Sequence, residues 1–242
     1  MSPARSDAAE PTPDAPQAWL ALAQLTDSGA PIGGYAHSHG MEGLAQLGFL
    51  GDGSALRQTL EALLHHSLAT ADLAGVVHGH RAAAAGDLGT LVALGTLFSA
   101  QKLAREARAS SLGLGKRLLA NAANLTDSPL LASYRALERA GRCDAHHCLA
   151  FGAVAQALGV AEEAAALGFG YTVLAGAVSA GQRLGVLGQN EAQQLLRGLW
   201  PDLASAVGTA RRIGMADIRS FSPVLEIAMM RHERAYSRLF SS

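Results

Sequence analysis

The chain has 242 residues, 49% of them apolar and only 5% aromatic, with a formal net charge of −1. That length supports one sizeable core, and abundant Ala and Leu with few aromatics favour closely packed helices over a sheet sandwich. The charge lacks the basic excess of a nucleic-acid binder, so no nucleic-acid partner is expected.

Residues 1–16 are rich in Pro, Ala and Asp and lack the basic and apolar regions of a signal peptide. They read as a disordered tail in front of one all-helical domain over 17–242. From there almost every segment has helical period, and none alternates as a strand would. Helices are predicted to begin near Ala18, Ser38, Ser54, Ala71, Leu88, Gln101, Pro129, His146, Glu162, Asn190 and Pro223. Turn signals separate them, among them Gly51-Asp52-Gly53, Gly86-Asp87, Gly141-Arg142, Pro201 and Gly214. Ser128 before Pro129 suits an N-cap followed by a first helical residue that needs no amide donor. No internal repeat and no long linker divide the body. The fold class is all-α, a single-domain helical bundle of about ten helices.

Ala164 to Ala180 is uncharged and close to the lower length limit of a membrane span. Its Gly and Ala content, with Tyr171, Thr172 and Ser179, reads instead as a buried bundle helix, and no membrane partner is expected. Cys143 and Cys148 flank His146 and His147 but have no second Cys pair to complete a zinc site, so they read as reduced thiols of a cytoplasmic protein. His65-His66, His78 and His80, and His146-His147 do not share the i, i+4 face of a helical metal site. They are expected to be structural.

Two segments invite catalytic readings. Gly113-Leu114-Gly115-Lys116-Arg117 resembles a phosphate loop, but Ser110 and Arg117 occupy places that need glycine and Ser or Thr, and no strand precedes it. Arg105, Arg108, Lys116 and Arg117 then mark the polar face of a long helix. Ala36-His37-Ser38-His39-Gly40 overlaps a serine-hydrolase elbow that a sheet would have to support. The enzyme alternative makes Ser38 a nucleophile, His37 or His232 its base, and Glu42 or Glu233 the orienting group. The plainer reading is a sharp turn at Gly33-Gly34 and a helix from about His37, with Ser38, His39 and Glu42 in one polar cluster. At the other end, a continuous helix would align Leu225, Met229, Tyr236 and Leu239 in an apolar stripe around His232. Arg231, Arg234 and Arg238 would form a guanidinium row on another face, suited to carboxylate or phosphate on a partner.

The front segment contains Asp27, Ser28, Pro31, Ile32, Gly33, Gly34, Tyr35, Ala36, His37, Ser38, Gly40, Met41 and Glu42. The end contains Pro223, Leu225, Ile227, His232, Glu233, Tyr236, Ser237, Arg238, Leu239, Phe240 and Ser242. Together they closely resemble the terminal blocks of the urease accessory protein F family (UreF). Arg105 through Leu119, Phe151-Gly152 and Arg183-Leu184 with Leu187-Gly188-Gln189 look like its internal blocks, so the resemblance runs from about Trp19 onward.

The resemblance implies a non-enzymatic assembly factor that forms a homodimer. Such a factor bridges a UreD-type protein (UreH in some organisms) and the GTPase UreG, and helps deliver nickel to the urease apoenzyme while gating or activating GTP hydrolysis. No tightly bound cofactor is implied, with nickel only in transit. The partner-binding positions it implies are Tyr35, His37, Ser38, Glu42, His232, Glu233, Tyr236, Arg238, Leu239 and Phe240. Tyr35 and Arg238 are the two linked to GTPase recruitment, and 222–242 is the partner-docking segment.

Overall fold

A computed structural model describes residues 16–29, 38–233 and 239–240. Among them the secondary structure is helical throughout. The first six helices are α1 (Pro16–Thr26), α2 (Met41–Gln46), α3 (Gly53–Leu63), α4 (Asp72–Ala84), α5 (Leu88–Gln101) and α6 (Arg105–Ala122). Then come α7 (Pro129–Arg139), α8 (His147–Ala157), α9 (Glu162–Arg183), α10 (Gln189–Gly198), α11 (Trp200–Ala210) and α12 (Pro223–His232). The all-α, single-domain expectation holds. Most starts fall within a few residues of prediction, because Asp52, Asp87 and Ser128 each accept a first-turn amide.

Three elements differ from expectation. Helix α6 begins at Arg105, since Gln101 closes α5 and Lys102 turns extended. Pro201 does not merely end α10 but sits in the first turn of a separate helix, α11, where its missing amide costs nothing. The C-terminal helix stops at His232. The tail expected over 1–16 lies outside the described residues apart from Pro16, which opens α1.

Small residues set the packing. Helices α4 and α8 cross so closely that a Cβ on Gly79 would lie 2.7 Å from the Leu149 carbonyl oxygen, and one on Gly152 would overlap the Val76 carbonyl. Residues 148–155 of α8 are all buried, so this helix is the centre of the core. Helix α6 closes on it where Gly115 faces the Ala145 carbonyl. Such approaches explain why a core with few aromatics still fills its volume. Helix α9 is long and apolar enough to cross a membrane by length and composition, yet 56% of its most apolar window is buried inside the bundle.

One irregularity positions the C-terminal helix. Helix α3 runs into a π-helical turn, Leu64–Leu68, in which Ala69 N–H bonds to the Leu64 carbonyl at 2.9 Å. The His66 carbonyl instead accepts Phe221 N–H at 3.1 Å, and Thr70 exchanges two bonds with Arg219. Ser67 and Ser220 hydroxyls meet at 2.9 Å. The segment leading into α12 is thereby stitched to this corner.

Candidate partner-docking site

The front motif meets the C-terminal helix through absent side chains. His39 (φ 51°) and Gly40 (φ 82°) are both left-handed, so α2 begins at Met41 and not near His37. Met41 N–H closes the turn onto the Ser38 carbonyl at 3.0 Å. A side chain on Gly40 would run into Leu225 and Met229, and a Cβ on Gly43 would sit 2.6 Å from the Ala228 carbonyl oxygen. Glycine at both positions, three apart on one face, lets α12 rest on α2.

That contact buries Glu42 at 3% exposure and His232 at 1%. The Glu42 carboxylate accepts three donors: Leu239 N–H at 2.8 Å, Phe240 N–H at 3.1 Å, and His232 Nε2 at 2.9 Å. The other His232 nitrogen, Nδ1, lies 3.8 Å from Glu106 Oε2. Glu233 caps α6, accepting Glu106 N–H at 3.2 Å and facing Arg105 Nε at 3.4 Å. The Phe240 ring turns inward beneath the Arg183 guanidinium, 3.9 Å from its centroid, while Leu239 points out at 70% exposure.

These contacts correct three expectations. The polar cluster joins Glu42 to His232 and the C-terminal amides, in place of Ser38 and His39. Ser38 Oγ is fully buried without a hydrogen-bond partner, His232 Nε2 is engaged by Glu42, and Glu233 is engaged by Arg105 and the Glu106 amide, so neither His232 nor Glu233 serves Ser38 as base or orienter. The apolar stripe divides as well: Leu225 and Met229 face Gly40, while Leu239 lies beyond the helix end and outside the stripe. Tyr35, His37, Tyr236, Arg234 and Arg238 lie outside the described residues. Of the site residues predicted from sequence, Glu42, His232, Glu233, Leu239 and Phe240 come together, and Ser38 is sealed just in front of them. Sequence reasoning missed Gly43 and Ala228, and it noted Arg183 in an internal block without a place at this site; the Gly40-x-x-Gly43 spacing was the available signal for the first.

The outer face of α12 carries Val224, Ile227 and Met230, all exposed, and Phe221 precedes them at 72% exposure. Behind α12 a cavity of about 170 Å³ opens between it and the α5–α6 junction. Lys102 and Asp72 form an ion pair in its wall at 2.9 Å. Burial pushes the Asp72 carboxyl up, but the charge and hydrogen bond of Lys102, with smaller help from His146 and Cys148, together hold the group below its ordinary value. Glu226, also lining the cavity, is pushed up by burial.

Deeper in the core a hydrogen-bond relay fixes one histidine tautomer. Ser99 Oγ must donate to the Asp144 carboxylate at 2.6 Å, so it accepts from His146 Nε2 at 2.9 Å. His146 Nδ1 therefore accepts from Ser111 Oγ at 3.0 Å, and Ser111 takes His147 N–H at 3.3 Å. Burial, reinforced by the Lys102 charge, pushes His146 down to about 4. His78 and His80 likewise donate Nε2–H to the carbonyls of Ile213 and Val160, each at 2.8 Å. Among the described residues no cluster of three or more His, Cys, Asp or Glu side chains could hold a metal ion.

Comparison with known proteins gives the same answer in the body and along nearly the whole chain. The UreF family model matches residues 50–199, the bundle between the two terminal segments. The urease accessory protein UreF of Paenarthrobacter aurescens is 37% identical over 226 residues, covering 92% of this chain and 97% of that protein. Its counterpart in Arthrobacter sp. strain FB24 is 36% identical, with coverage of 92% and 96%. That of Trichodesmium erythraeum is 29% identical with the same coverage. The alignments reach beyond the bundle, as the meeting of α2, α12 and the C-terminal amides requires, and the chain belongs to the UreF family of urease accessory proteins.

Proposed function

We propose that the chain is a non-catalytic adaptor of urease maturation, bridging a UreD/UreH-type protein and a UreG-type GTPase while nickel is delivered to the urease apoenzyme. It works as a cytoplasmic homodimer, holds no cofactor tightly, meets nickel only in transit, and gates or activates GTP hydrolysis by the partner. The observation that carries this reading is the convergence of the two terminal segments, with Glu42 bonded to the amides of Leu239 and Phe240. The described parts of the two segments meet at Glu42, and α12 carries the exposed row of Val224, Ile227 and Met230. An apolar row of that kind suits burial against another protein. The UreD-type partner is assigned to it, and the GTPase to Tyr35 and Arg238.

Size-exclusion chromatography with light scattering tests this on the chain alone and mixed with its cognate UreD- and UreG-type proteins. The expected result is a dimer that enters a larger complex, with Tyr35→Ala and Arg238→Ala losing the GTPase but keeping the UreD-type protein. A chain that ignores both partners overturns the adaptor reading. A GTP hydrolysis rate that is the same with and without the chain removes the gating.

A further inference from the structure

Glu42 lies inside the molecule and presents no surface to a partner. Its two oxygens are occupied by donors from the far end of the chain, the Leu239 amide on Oε1 and the Phe240 amide and His232 on Oε2. The two consecutive residues it holds then point in opposite senses. Phe240 is buried beneath Arg183, and Leu239 projects its side chain outward.

From this we infer that Glu42 is a positioning residue: its carboxylate clamps the amides of Leu239 and Phe240 and so sets how the docking segment displays the exposed Leu239 side chain to an apolar surface of the UreD-type partner. The inference rests on the adaptor reading for the identity of that partner, but the clamp itself is a property of the chain alone. A carboxylate is required because it only accepts. In Glu42→Gln the amide NH₂ must replace one oxygen, so it opposes Leu239 N–H in one orientation and Phe240 N–H in the other. At least one C-terminal amide then faces a donor in a buried place, which costs more than losing a neutral hydrogen bond.

The test is hydrogen exchange at the Leu239 and Phe240 amides in the full-length protein and in Glu42→Gln, followed by titration of each with the cognate UreD- and UreG-type proteins. The expected result is exchange faster by about tenfold or more at one or both of those amides, with thermal unfolding still cooperative. Binding of the UreD-type protein should fall by a similar factor, and loss confined to the GTPase overturns the assignment. A chain ending at Arg238 supplies the second variant. Combined with Glu42→Gln it should bind no worse than the truncation alone, because the carboxylate acts only through the residues removed. Unchanged exchange in Glu42→Gln overturns the clamp, and so does full additivity of the two changes. Faster exchange with undiminished binding overturns the positioning role. A wild-type chain that binds neither partner defeats the adaptor reading instead, and leaves the exchange result standing.

Discussion

A histidine with no solvent exposure and a hydrogen bond on each ring nitrogen has one protonation state open to it. His146 must stay neutral, because a second ring proton would oppose the Ser111 hydroxyl proton and sit near Lys102. Its value of about 4 in the fold lies below the roughly 6.5 of an unfolded imidazole. Between those two pH values the unfolded chain binds the additional proton, so folding stability rises with pH there. The contribution is fully present above about pH 6.5 and is lost as pH falls towards 4, by about 3 kcal/mol at most. Urea midpoints measured between pH 7 and pH 4.5 should fall in the wild type. In His146→Gln the same fall should be shallower, though this variant starts from lower stability. Equal slopes in the two proteins would contradict the neutral assignment.

At the scale of helices, the crossing points are made by glycine. Gly152→Ala would drive a methyl into the Val76 carbonyl and towards the His80 amide, both backbone atoms that cannot swing away. The expected loss is about 3 kcal/mol or more, or failure to fold. Gly86→Ala is the control: its left-handed backbone (φ 68°) is strained by a Cβ, but nothing lies within 4 Å, so about 1 kcal/mol is expected. Chemical denaturation of the two variants checks the contrast. Helix positions were legible in the sequence because they depend on local signals: Asp52, Asp87 and Ser128 announce their helices by side chain alone. The end of α12 was not, since apolar period continues past His232 in Tyr236 and Leu239. The amides of Leu239 and Phe240 bond to a carboxylate some 200 residues away in sequence, a contact that no local signal announces. The candidate site was half legible for the same reason. Its two segments stood out by composition, but that Glu42 faces the C-terminal amides and not Ser38 follows from the tertiary approach at Gly40 and Gly43.

For the whole molecule, the outer row of α12 tests the proposed docking of the UreD-type protein. Ile227 is 54% exposed, and Val224 and Met230 flank it one turn either way. Ile227→Asp should leave the unfolding midpoint nearly unchanged, since exposed substitutions away from special features rarely exceed about 0.5 kcal/mol. Binding to the UreD-type protein should weaken by about tenfold or more, because a carboxylate would then be desolvated at the interface core. Calorimetric titration beside a thermal melt separates the two effects. A large drop in melting temperature would mean the row is covered within the isolated protein, and unaltered binding would place the partner elsewhere.

The bond between Phe240 and Glu42 closes a loop of 198 residues. A ribosome adds roughly 5–20 residues each second, so about ten to forty seconds pass between the synthesis of Glu42 and that of the amides it accepts. Throughout that interval the bundle can assemble around α8, but the carboxylate waits without those donors. The contacts that hold Leu239 and Phe240 thus form later than the body of the fold, and a chain terminated before Leu239 would carry that body without them.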